Sequence, residues 1–151
     1  MLTLKLLLAV FFIFSSEPGM RCVTPGTAAQ ELKKSSVVFA GKVIERRYIK
    51  EEGSSETDVG ERMVIKLAVE QIWKGEIDDE VLLFTSEIRY PNGITSMMAE
   101  DFHFKDEERY LVYANGEPKR LSTSGCTRTK EFAEAENDLN ELNEGRKLNR
   151  K

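Results

Sequence analysis

The stretch SVVFAGKVIERRYI, residues 36–49, decides the fold. It is rich in β-branched and aromatic side chains, which suit a pleated, half-buried strand. Gly41 lies inside it, and a glycine within a strand marks a bulge or a sharp bend, as at a barrel corner. A second run, RMVIKLAVEQIW at 62–73, sets Met63, Ile65, Leu67, Val69 and Trp73 against Lys66, Ala68, Glu70 and Lys74. That alternation predicts a strand with one core face, Trp73 included, and one largely wet face. The residues between, KEEGSSETDVGE at 50–61, are polar and rich in Gly and Ser, and read as a connection between the two strands.

Working outward, Lys74-Gly75 turns the chain into a third strand over 80–85. YPNG at 90–93 is a turn, because Pro91 presets its φ and Asn92-Gly93 tolerate positive φ. Residues 94–108 read as irregular. RYLVYAN at 109–115 is a fourth strand, GEP a turn, and KRLSTS at 119–124 a short fifth. Ahead of the first strand, GTAAQELKKS at 26–35 predicts a short helix capped by Thr27, with Ala28, Ala29 and Leu32 on its apolar side. After the last strand, TRTKEFAEAENDLNELNEG at 127–145 predicts a helix capped by Thr129. Its stripe is Phe132, Ala135, Leu139 and Leu142, and Gly145 is its stop. RKLNRK at 146–151 is a basic tail expected to be solvated. Five strands, a bent first strand and a helix at each end predict an all-β fold with terminal helices. The expected architecture is a five-stranded OB-type closed antiparallel barrel over 22–145, in which closure removes the exposed sheet edges.

The opening MLTLKLLLAVFFIF carries one charge, Lys5, ahead of an uninterrupted apolar run from Leu6 to Phe14. That run is about nine residues against the roughly 20 that cross a bilayer as a helix. Residues 1–21 therefore read as a secretory signal, cleaved between Ser15 and Cys22. The whole chain has a formal net charge of −4. Removing 1–21 takes away two basic residues against one acidic residue, so the remainder is more acidic still. Such a chain offers no electrostatic footprint for nucleic acid or an anionic membrane, and no second apolar run is long enough to span a bilayer. The expected product is soluble, in the extracellular space or the cell envelope. In that compartment two cysteines, Cys22 and Cys126, point to one disulfide, the alternative being two free thiols. Closing a loop of that length stabilises by at most ~4.7 kcal/mol.

Little here supports catalysis, and the chain is expected not to be an enzyme. The single histidine, His103, sits in the charged segment EDFHFKDEE and reads as an exposed or capping residue. A Cys126–His103 thiol pair competes with the disulfide for the same sulfur. Asp78-Asp79 and the DEE cluster read as solvated turn residues, without the glycine and distal glutamate of a calcium loop. No intrinsic metal motif, phosphate-cradling glycine loop or cofactor site is present.

VVFAGKV (37–43), QIWKG (71–75), ERYLVYA (108–114) and LSTSGCTRT (121–129), with the helix after them, resemble in order and spacing the N-terminal domain of tissue inhibitors of metalloproteinases, within the wider netrin-like group. The resemblance covers roughly residues 20 to 143. It implies a five-stranded OB barrel and an inhibitory device at the N-terminus. In that device the chain begins Cys-x-Cys, and the amine and carbonyl of the first cysteine chelate the protease's zinc, displacing its bound water. This chain departs from the pattern. Cys22 matches the second cysteine, Met20 stands where the first belongs, and the first cysteine's partner position falls near Glu100. The resemblance pairs Cys22 with Cys126. It makes Cys22, Val23, Thr24 and Pro25 the candidate protease-contacting ridge, and the Cys22 amine a zinc ligand only if it is the mature terminus. The expected partner is a zinc metalloprotease. The alternative is an extracellular protein-binding module using residues 51–61 and the turn Tyr90 to Gly93.

Overall fold

A computed structural model describes residues 22–50, 60–143 and 145–147. The expected signal segment, including Met20 and Arg21, and nearly all of the 51–61 connection lie outside them. A short helix, α1 (Ala28–Lys34), leads into two long strands, β1 (Val37–Lys50) and β2 (Glu61–Lys74). β3 (Glu80–Arg89) and a two-residue β4 (Thr95–Ser96) follow, then β5 (Arg109–Glu117), β6 (Arg120–Ser122) and β7 (Lys130–Glu131). A 3-10 turn (Phe132–Glu134), helix α2 (Glu136–Leu142) and β8 (Arg146–Lys147) complete the chain.

The pairing is mostly antiparallel and returns on itself. β1 pairs with β2 and β5, β2 with β3, and β5 with β6. The circuit closes through one parallel pair, Leu83 opposite Leu121, between β3 and β6. The result is a ring of five strands. All five supply one apolar cluster, through residues such as Phe39, Leu67, Leu83, Val112 and Leu121. At one end of it Phe102, Phe104 and Tyr110 pack edge to face, with centroids 4.8 to 5.6 Å apart.

The runs VVFA and YLVYA are buried at every position because both of their faces are covered. Val37, Phe39, Tyr110 and Val112 face the ring interior. Val38, Leu111 and Tyr113 face outward, into a second cluster with Ala28, Ala135 and Leu142 of the helical segments. Where β1 runs past the helices, from Ile44 on, it becomes exposed.

Thr27 caps α1 as expected, in a capping box with Gln30. Ala28 is buried, but Ala29 is exposed rather than on the apolar side. The irregularity expected at Gly41 is present, since the β1–β2 register shifts between Ala40 and Gly41. A Cβ at Gly41 would stand 2.9 Å from the Ala68 carbonyl oxygen. The 90–93 turn is also present: Gly93 has φ +83, and its N–H donates to Tyr90 O at 3.0 Å.

Several expectations are corrected. The alternation in β2 breaks at the Gly41 bulge, where Glu70 is the extra residue, so Ile72 rather than Trp73 continues the ring core. Trp73 is half-buried in the second cluster. The face of β2 expected to be wet carries buried Val64 and Ala68. β3 runs four residues further, to Arg89, and its end pairs with β4 inside the segment expected to be irregular. β5 continues through Glu117, which moves the turn to Pro118-Lys119. Thr129 is not a helix cap: its hydroxyl accepts from Tyr113 N at 3.0 Å, which holds 129 on β5 and delays the helix to Glu136. Asn143, at φ +62, ends that helix in place of Gly145. Arg146 and Lys147, expected in a solvated tail, pair with Ile72 and Gln71.

Candidate functional site

The segment LSTSGCTRT is built from hydroxyl groups that replace regular pairing. Thr123 Oγ1 donates to Tyr113 O at 2.8 Å, fixing the segment to β5. Thr127 N and Oγ1 both donate to Ser124 O, at 3.1 and 2.9 Å, and Cys126 N donates to Ser124 Oγ at 3.2 Å. A tight turn results, with Cys126 at its tip. Gly125 N donates to Glu100 O at 2.6 Å, and Asp101 bridges to Ser124, so the 98–101 segment flanks the same turn. Glu100 keeps one carboxylate oxygen, Oε2, buried there with no hydrogen-bond partner among the described residues. It lines a groove of ≈ 330 Å³ whose wall also includes Met98 and Ser124.

Cys22 and Cys126 form a disulfide, with Cα atoms 5.2 Å apart. The bridge lays Cys22, Val23, Thr24 and Pro25 on the outside of the turn. Cys22, Val23 and Thr24 are exposed, and Val23 is 88% exposed, the most of any large apolar residue described. Behind them Arg128 joins three parts of the chain. Its Nη1 donates to Gly26 O at 2.7 Å, while Nε and Nη2 donate to Asp138 at 2.8 and 2.5 Å. Lys130 Nζ and Tyr113 Oη also donate to Asp138, at 2.9 and 3.0 Å. Burial of Asp138 pushes its carboxyl up, but the hydrogen bonds from Arg128, Lys130 and Tyr113 outweigh burial and hold it at about 2. Burial, then the charge of Asp138, pushes the Tyr113 phenol the other way, above its usual value. Sequence reading missed this cluster. An aspartate inside a helix is most often solvated, and only the facing Arg128 and Tyr113 make its burial tolerable.

No protein-family model matches the chain, and no curated protein matches it. The site therefore stands on its own geometry. It brings together Cys22, Val23, Thr24, Pro25 and Cys126, and sets Glu100 beside them. His103 is exposed on the segment between Phe102 and Phe104, and Cys126 has no free thiol to offer it. Among the described residues, no group of histidine, cysteine and acidic side chains is arranged to hold a metal ion. No described helix is long and apolar enough to cross a membrane. The turn Tyr90 to Gly93 leads into a second exposed apolar group, Ile94, Met97 and Met98.

Proposed function

We propose that this chain is an exported, non-catalytic protein that inhibits a zinc metalloprotease through the ridge Cys22 to Pro25. The observation that carries the reading is the disulfide-held segment with Val23 88% exposed on it. An isolated valine left in water on a constrained segment is suited to enter a partner's apolar pocket, and constraint lowers the entropy of binding. The five-stranded ring, its bulge at Gly41 and the helices packed on one face support the finer reading of an OB-type barrel as the platform. With Cys22 as the mature terminus, its unprotonated amine and its carbonyl would offer lone pairs to the partner's zinc in place of the hydrolytic water. Val23 would follow into the specificity pocket, with Thr24-Pro25 behind it. One extra residue displaces the amine by about 3.8 Å and turns Cys22 into an ordinary amide.

The test is N-terminal sequencing of the exported product, followed by inhibition assays against zinc metalloproteases before and after acetylation of the amine. Cys22 as residue one, with inhibition abolished by acetylation and by Val23→Asp, supports the reading. Inhibition undiminished by acetylation, or no inhibition by a product that begins at Cys22, overturns it. A second reading, a protein-binding module without inhibition, is favoured by the exposure of Ile94, Met97 and Met98. It predicts that Met97→Ser with Met98→Ser loses the partner while acetylation changes nothing.

A further inference from the structure

Residues 22–25 make no hydrogen bond to any other described residue. Among the described residues they are held by the disulfide at one end, by Gly26 at the other and by the packing of half-buried Pro25 beside it. The Gly26 end does not depend on the disulfide. Gly26 N donates to Glu31 Oε1 at 3.0 Å, and Gly26 O accepts from Arg128, which is locked by buried Asp138. The Thr27–Gln30 capping box and fully buried Ala28 then seat α1 on β1 and β5. The main core, inside the ring, contains no described residue before Val37. The chain has no other cysteine.

We propose that the Cys22–Cys126 bond is a redox-operated clasp, which presents the ridge when closed and releases residues 22–25 alone when reduced. The reductant is a dithiol. Its thiolate attacks the Sγ of Cys22, an exposed residue, the S–S bond breaks, and Cys126 leaves as a thiolate that takes up a proton. The second thiol of the reductant then closes its own disulfide, expelling Cys22 as the second thiol. Two electrons pass to the protein, and both cysteines end reduced. The release rests on the separate anchor at Gly26 and on the lack of hydrogen bonds from residues 22–25 to other described residues. That it switches inhibition off rests on the function proposed above.

The test reduces the native exported chain with dithiothreitol, caps it with iodoacetamide, and measures ¹⁵N relaxation. Order parameters at Val23 and Thr24 are expected to fall below about 0.6, the range of flexible backbone, while those of Tyr113 and Leu67 stay near the rigid value. Cys22→Ser combined with Cys126→Ser should reproduce the pattern without a reductant. Unchanged order at Val23, resistance of the bond to reduction without denaturant, or collapse of the signals of the ring overturns the proposal. This measurement needs no partner, so it judges the clasp even where inhibition assays are negative. Where the oxidised chain does inhibit, equal inhibition by the capped chain overturns the switching role.

Discussion

Asp138 is fully buried, and Arg128, Lys130 and Tyr113 converge on it. Removing its charge leaves two cations facing a protein interior. Breaking a fully buried pair costs roughly 3–5 kcal/mol, and the partial exposure of Arg128 and Lys130 lowers the expected loss for Asp138→Asn to about 2–3 kcal/mol. Urea unfolding at neutral pH measures it. Linkage sets the pH dependence. The folded carboxyl titrates at about 2, below the ordinary value near ~3.9. Its stabilisation is therefore present in full above that ordinary value and is lost as pH falls through about 2. The stability of the native chain should fall by about 2 kcal/mol across this window, with the Asn variant lacking that part of the slope. None of this was legible in NDLNEL, because the partners lie on other elements. The Cys22–Cys126 bond was legible, since two cysteines in a chain read as exported point to one bridge without any knowledge of the register.

At the scale of elements, the β1–β2 pairing at the bulge depends on a missing side chain. A Cβ at Gly41 would sit 2.9 Å from Ala68 O and 3.3 Å from the Phe39 ring. Gly41→Ala should therefore destabilise by about 1–3 kcal/mol, as overpacking does, visible as a lower urea midpoint with an unchanged slope. The strands themselves were readable from β-branched and aromatic runs, and the first helix from its cap. The bulges were not. Glu70, Trp73 and Ile44 are extra residues only relative to the strand opposite, so the phase of β2 cannot be read from β2 alone. The last helix was overextended for a similar reason. The Thr129 hydroxyl is engaged by Tyr113, a partner 16 residues away in sequence. β4 and β8 are two residues each and carry no strand signal of their own.

At the scale of the molecule, two apolar clusters share one pair of strands. β1 from Val37 to Gly41 and β5 from Tyr110 to Ala114 are buried on both faces, so the ring interior and the helical side depend on the same backbone. A clasp outside both clusters can open while they remain closed. The ring is not equally strong around its circuit. β1 and β2 are paired over nearly their whole length, whereas β3 and β6 meet at Leu83 and Leu121 alone. Hydrogen exchange should find its fastest ring amides in β6 and its slowest where β1 pairs with β2 and β5. Uniform protection around the circuit would contradict that ranking.

That single parallel meeting is a seam. A chain under stress would part there first, like a cuff at its button. Leu83 and Leu121, both almost wholly shielded in the native state, would reach water together while the rest of the sheet kept its pairing. Such a gap bares two strand margins side by side, ready to accept a neighbour's strand. The molecule's self-association on warming or storage would then begin at β3 and β6, and a covalent stitch between them is where an engineer should look for shelf life.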